Sequence, residues 1–502
     1  MPPTDPTGPW PEQQVLLTRL AAWMSERRWF PLKDEQPPDG AALRVVADSR
    51  PAPEVRDLVV AVPRAGRDPV LMHVPLVLDS PGALERLTGA GEAPGAAGFA
   101  LPDGTALVDG PHHPSFWRAW ARDVERAGTV LDAAGVRAIA RRAERVRVLT
   151  GEQSNTSVVL PAPDGGDAPA RSRPDQGAGS QDAATEGLII KLFRVLAPGR
   201  NPDVEVSVAL ARDGWDQVSS PVAWSTLSFP DPDSGEPASA DSAVAAAFIP
   251  DAEDGFALFC SLAGSDDGEA GGTRARAVSL AADLGVTTAH MHEHLAAAMG
   301  TADPGSPADL AAALGERASW ALGEVPELTR AVPDLEARVE AGLDELRALE
   351  ELPPATRVHG DYHLGQTLRG SGGQGRWYVL DFEGEPLRPL ADRSRPDQPL
   401  RDVAGMLRSF DYAAAVGGAA DPGWLPAVRS AFLDGYRSAA PSTGAAGHAA
   451  DVLMGVLELD KALYEAVYEA RNRPDWLRIP LSGIRHVLRA KSPAERSPRG
   501  TV

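Results

Sequence analysis

Two carboxylates and an amide, placed at fixed offsets around a short apolar run, carry the strongest chemical signal in this sequence. The stretch Val358-His359-Gly360-Asp361-Tyr362-His363-Leu364-Gly365-Gln366 is followed by Trp377-Tyr378-Val379-Leu380-Asp381-Phe382-Glu383-Gly384. Phosphoryl transfer from ATP needs a base for the acceptor hydroxyl and two oxygen-bearing side chains to hold Mg²⁺ against the phosphates. Asp361 fits the catalytic base, with Gln366 five residues on and Asp381 closing the following strand as metal ligands. A polar turn capped by Asp361 would explain His-Gly-Asp alone. It leaves the matching Gln and Asp without a reason.

Such a site needs phosphate-binding groups upstream. Lys191 lies in the apolar run Leu188-Ile189-Ile190-Lys191-Leu192-Phe193, where a lysine is costly unless it has a partner. Glu205, fourteen residues later at the start of a helical pattern, suits the acid that fixes that lysine. The turn Gly151-Glu152-Gln153-Ser154-Asn155-Thr156 offers Ser154, Asn155 and Thr156 to phosphates, although it holds a single glycine. A water-facing edge lysine, a first-turn acid and an ordinary hairpin turn are the plain alternatives for these three features.

These residues imply elements that position them. Residues 1–118 read as an α+β module of one helix and the strands around Val45, Val59 and Leu71, with no catalytic spacing. Residues 119–250 form a β-rich, nucleotide-side lobe. Residues 251–502 are helical apart from the short β segment that holds Asp361 and Asp381. The last two parts match a bilobal, protein-kinase-like plan of β-rich N-lobe and helical C-lobe, an α+β fold with an added N-terminal cap subdomain. Two polar stretches, 161–186 and 231–241, read as insertions, the first without enough bulky side chains to order. A chain of 502 residues exceeds one ordinary core, consistent with this division.

Bulk properties exclude several functions. A net charge of −21 argues against nucleic acid, while a few local cations and Mg²⁺ still suffice for a nucleotide. No apolar run is long enough to cross a membrane. The start, Met1-Pro2-Pro3-Thr4-Asp5-Pro6, lacks the features of a signal peptide, so a cytoplasmic location is expected. The single Cys260, among Leu258, Phe259 and Leu262, reads as a packing thiol. The cluster His290-Met291-His292-Glu293-His294 lacks the order of a zinc-protease helix and reads as a helix face packed on the catalytic loop. A monomer is expected.

Several longer blocks are similar to those of actinobacterial maltokinases. They are His359–Gln366, Asp381-Phe382-Glu383-Gly384-Glu385-Pro386, Arg401-Asp402-Val403-Ala404-Gly405-Met406 through Tyr412, and Tyr468-Glu469-Ala470-Arg471-Asn472-Arg473-Pro474-Asp475-Trp476. Gly151–Thr156 and Arg28-Trp29-Phe30 fit as well. The resemblance implies an aminoglycoside-phosphotransferase-like fold with an N-terminal cap. It further implies conversion of maltose and ATP to maltose 1-phosphate for α-glucan (glycogen) synthesis. It gives Asp361, Gln366, Asp381, Lys191 and Glu205 the same roles as above.

Sugars are held by carboxylates, Arg and Asn on hydroxyls and by aromatic faces on C–H surfaces. Tyr464, Glu465, Tyr468, Glu469, Asn472, Arg473 and Trp476 offer these groups near the C-terminus, with Tyr464, Tyr468 and Asn472 four apart on one helical face. His363, Asp411 and Tyr412 are further candidates for the same cleft. The rivals to a maltose kinase are a kinase of glucosamine or an aminoglycoside on the same fold, and a nucleotide-binding pseudokinase. Intact Asp361, Gln366, Asp381 and Lys191 speak against the last.

Overall fold

The computed structural model describes residues 10–33, 37–89, 92–93, 95–149, 154–163, 187–232, 234–265, 272–370, 375–385, 390–440 and 447–490. They form two compact units, one ending at Val208 and resuming over Ser219–Pro250, the other made of Ala209–Val218 and everything from Asp251. Among the described residues no helix is long and apolar enough to cross a membrane.

The first unit opens with α1 (Gln13–Ser25), which buries Leu16, Leu17, Leu20 and Met24 along one stripe. Strands β1 (Arg44–Ala52), β2 (Val55–Arg64) and β3 (Arg67–Asp79) make an antiparallel meander, followed by α2 (Ala83–Leu87), β4 (Gly98–Ala100) and β5 (Ala106–Asp109). Their sheet runs β1-β2-β3-β5-β4. β2 shows how the two-residue period decides the packing. Leu58, Val60 and Val62 pack with Leu16, Leu20 and Met24, whereas Val59 and Ala61 face a core of Phe193, Val204, Trp224 and Val244. A strand buried on both faces must read as a continuous apolar run, and this one does.

Helices α3 (Pro114–Ala127) and α4 (Ala133–Arg142) lead into a second antiparallel sheet. It comprises β6 (Arg147–Val148), β7 (Asn155–Leu160), β8 (Leu188–Phe193), β10 (Pro221–Pro230) and β11 (Pro237–Ala247), in the order β10-β11-β8-β7-β6. The short β9 (Val195–Leu196) pairs back onto β3, and α5 (Pro202–Arg212) follows it. β8 is therefore an interior strand, which removes the edge-strand explanation of Lys191.

The polar stretch 231–241 is not an insertion between strands. β11 begins at Pro237, and the ladder runs from Pro230↔Pro237 to Thr226↔Asp241. Small residues hid this strand, because Ala238, Ser239 and Ala240 carry little of the bulk that marks a strand. Of the stretch 161–186, residues 164–186 lie outside the described residues.

The second unit starts with β12 (Glu253–Asp254), α6 (Gly255–Gly264), the long α7 (Gly272–Met299) and β13 (Thr301–Ala302). Helices α8 (Pro307–Glu324), α9 (Glu327–Ala331) and α10 (Leu335–Arg347) precede β14 (Ala355–Thr356), β15 (Thr367–Arg369) and β16 (Trp377–Val379). The last described elements are α11 (Leu390–Arg393), α12 (Leu400–Gly417), α13 (Trp424–Ala439), α14 (His448–Asn472) and α15 (Arg478–Ala490). Glycines set the distance between α7 and α13. A Cβ on Gly285 would lie 2.1 Å from the Phe432 carbonyl oxygen, and one on Gly435 would lie 2.2 Å from that of Ala282. Backbones that close bring Tyr436 within hydrogen-bonding reach of His292.

Candidate active site

Residues Val358–Gln366 link β14 to β15, and β15 and β16 form a tight antiparallel pair, Thr367↔Val379 to Arg369↔Trp377. The Leu380 N–H donates to the Gln366 carbonyl at 2.9 Å, closing the mouth of that hairpin. The closure brings side chains together: Gln366 Nε2 donates to Asp381 Oδ2 at 3.0 Å. Asp381 holds φ of +61°, a left-handed backbone that costs a non-glycine residue about 1 kcal/mol or more and collects at functional sites. A carboxylate oxygen of Glu383 lies within 4.8 Å of one from Asp381. These hard oxygen donors suit Mg²⁺, and half a turn of the Gln366 amide directs its oxygen to the same point.

Asp361 is carried on a loop whose backbone is held from below. Asp402 of α12 accepts the His359 N–H at 2.7 Å and the Gly360 N–H at 2.9 Å. Buried His292 of α7 meets the same carboxylate through Nε2 at 3.1 Å, and Tyr436 through Nδ1 at 2.9 Å. Burial pushes the Asp402 carboxyl up, but the His292 hydrogen bond, the charges of His292 and His359 and the Gly360 amide together hold it below its ordinary value. Gly360 turns at φ +86°, a conformation open to glycine. The expected helix face packed on the loop is thus the His292 face. His294 pairs instead with Asp213 at 2.6 Å.

Beside Asp361 opens a cleft of about 660 Å³, lined from the C-terminal helices and the catalytic loop. Of the residues named from sequence for the sugar, His363, Tyr412, Tyr464, Glu465, Tyr468, Glu469, Arg473 and Trp476 line it. The Arg473 guanidinium stacks 4.3 Å over Trp476 and donates to Glu469 Oε1 at 2.8 Å, which also accepts from the Tyr412 hydroxyl at 3.0 Å. Glu469 Oε2 is buried with no hydrogen-bond partner among the described residues.

Two named residues do not line the cleft. Asp411 turns into the interior between the buried guanidiniums of Arg408 and Arg429, where two charges need it more than a ligand would. Asn472 is exposed, and its amide donates to the Tyr468 carbonyl at 2.9 Å.

Sequence reasoning missed Lys461 and Glu385. Lys461 Nζ stands 3.5 Å from Asp361 Oδ1 and 3.3 Å from Glu385 Oε1. The signal was present: Lys461 lies three and four residues before Tyr464 and Glu465, on the helix face already chosen. Glu465, also on the cleft wall, accepts from Arg408 Nε at 2.9 Å.

In the first unit, Lys191 Nζ donates to Asp203 Oδ2 at 3.1 Å. The sequence spacing names Glu205 for that lysine, and Glu205 lies in the same first turn of α5 as Asp203, which stands two residues earlier. Ser154 precedes β7, and Asn155 begins it. The Thr156 hydroxyl is buried and already has a partner in the protein. It accepts from Arg194 Nε at 2.8 Å, and Arg194, fully buried, forks onto Asp109 and stacks 4.3 Å from the Trp29 ring.

Comparison with known proteins agrees with this architecture. The phosphotransferase enzyme family (APH) model matches residues 236–442. A glucosamine kinase of Streptacidiphilus jiangxiensis is 32% identical over 304 residues, 56% of this chain and 64% of that protein. One of Mycolicibacterium smegmatis is 29% identical over 263 residues, 48% of this chain and 61% of its own. The chain thus matches less than two thirds of the length of either relative. A solved glucosamine kinase in complex with glucosamine, ADP and inorganic phosphate superposes with a TM-score of 0.62 at 22% identity, covering 96% of this chain and all of that one. The chain therefore has the α+β fold of the aminoglycoside-phosphotransferase-like kinases.

Proposed function

We propose that this chain is an ATP-dependent kinase of a small sugar. The observation that carries the reading is the pairing of Gln366 with Asp381 at 3.0 Å, next to a loop that presents Asp361 on a backbone locked by Asp402. Asp361 takes the proton of the acceptor hydroxyl, the freed oxygen bonds to the γ-phosphorus, and the bond from that phosphorus to ADP breaks. Gln366 and Asp381, with Glu383 close by, are the residues that would hold Mg²⁺. The ion, when bound, offsets charge on the phosphates. Lys191 with Asp203 is the phosphate-anchoring pair in this reading, and Glu205, Ser154 and Asn155 remain candidates for the nucleotide. The unpartnered Glu469 Oε2 supports a hydroxyl-bearing acceptor, because a buried acceptor atom calls for a donor.

The relatives named as glucosamine kinases support glucosamine as the acceptor. A second reading, maltose converted to maltose 1-phosphate for α-glucan synthesis, draws on the maltokinase-like blocks. It also draws on the cleft, where Asp361, Glu385, Glu465 and Glu469 each already face a lysine or arginine. An ADP-release assay with Mg²⁺-ATP against glucosamine, maltose, glucose and an aminoglycoside tests both. Turnover of glucosamine alone removes the maltose reading, and turnover of maltose alone removes the other. Silence across the panel overturns the sugar-kinase reading.

A further inference from the structure

We propose that Lys461 positions Asp361 and sets the charge that the acceptor may carry. This inference rests on the sugar-kinase reading of the cleft.

Lys461 comes from the middle of α14, yet its ammonium ends between the candidate base and a second carboxylate. Nζ is 3.5 Å from Asp361 Oδ1 and 3.3 Å from Glu385 Oε1, and it lies 5.5 Å over the Tyr464 ring. Its side chain is 23% exposed and lines the cleft. Burial alone would favour the neutral amine, but the charges of Asp361, Glu385 and Glu465 more than reverse that, so the group stays an ammonium. A lysine whose task was solubility would send its head group to water. This one is tethered by Glu385 and leaves one side of Asp361 toward the cavity.

Two consequences follow. The ammonium, 3.5 Å from Oδ1, fixes the carboxylate of Asp361 in place. It also puts a fixed positive charge where the acceptor sugar meets its base. A neutral sugar tolerates that charge. An amino sugar with its ammonium nearby is repelled by it, and the repulsion is strong in a partly desolvated cleft. Lys461 is then a residue of specificity as well as positioning.

The test uses the full chain and compares wild type, K461M and K461R by ADP release with glucosamine and with maltose. In K461M, the ratio of kcat/KM for glucosamine to that for maltose rises at least about tenfold. Its kcat on the wild-type acceptor falls at least about tenfold, and the KM for ATP stays within about twofold. K461R, which keeps the charge, retains the wild-type ratio. Should K461M fail to fold, E385Q gives the complementary reading. It removes a negative charge beside the same ammonium and lowers the ratio by about threefold or more. An unchanged ratio in K461M, or in E385Q where K461M does not fold, overturns the proposal, as does a K461R enzyme that behaves like K461M. A wild type that uses neither sugar overturns the sugar-kinase reading, whereas an active wild type with an unaltered variant ratio overturns this inference alone.

Discussion

The side chains of Gln366 and Asp381, fifteen residues apart in sequence, meet at 3.0 Å across the mouth of the β15–β16 hairpin. Asp381 reaches that point with a left-handed backbone. Asparagine tolerates the same conformation, so D381N isolates the carboxylate from the backbone. The expected result is a fold intact by circular dichroism and turnover lower by on the order of 100-fold or more. D361N should lose about as much kcat or more while its ATP affinity, read by calorimetry, changes little.

Asp402 gives a pH-dependent expectation. Its carboxyl is held below the ordinary value of 3.8 in the folded chain. A depressed folded value contributes stability that is complete above the unfolded value and is lost as pH falls toward the folded one. The stability gap between wild type and D402N, from urea melts, should therefore be widest at neutral pH and shrink below about pH 4. A gap independent of pH would show that the carboxylate charge does not hold the loop.

Thr156 and Arg194 separate a phosphate contact from a structural one. T156V leaves the buried Arg194 Nε without its acceptor and should cost about 1–3 kcal/mol in urea melts, with the KM for ATP within about twofold. R194M strands Asp109 and should cost more, about 3–5 kcal/mol. A large rise in the KM for ATP in T156V would give Thr156 the phosphate role.

Gly483 probes the charge network beneath the cleft. A Cβ there would stand 1.7 Å from Arg408 Nη1, and that guanidinium is fully buried between Glu465 and Asp411. G483A should destabilise the chain by about 1–3 kcal/mol. It should also raise the KM for the sugar, because Arg408 holds Glu465 on the cleft wall, while the KM for ATP stays put. Equal changes in both constants would argue for general loosening.

The parts of this molecule that could be read from sequence are those whose partners are near in sequence. Asp361, Gln366 and Asp381 lie within one loop and hairpin, so their offsets alone defined the constellation. Lys191 stood out because a charge in an apolar strand is unusual. What could not be read from sequence depends on distant partners. Thr156 faces Arg194 from 38 residues away, and Asp411 is claimed by Arg429 from a different helix. Lys461 meets Asp361 across 100 residues, and no local pattern points to that pairing. The residues 237–241 were missed for another reason, since small side chains satisfy a ladder by backbone alone.

Arg194 also bears on how this chain can change over evolutionary time. It sits directly after β8, the strand of Lys191, yet its charge is balanced by Asp109, the last residue of β5 in the front sheet. Deleting the front sheet, or exchanging it for one lacking an acid at that point, would leave an unbalanced guanidinium in an apolar core. The front segment and the lysine-bearing sheet must therefore be inherited as a pair. A lineage that exchanged the front sheet would have to alter Arg194 in the same step.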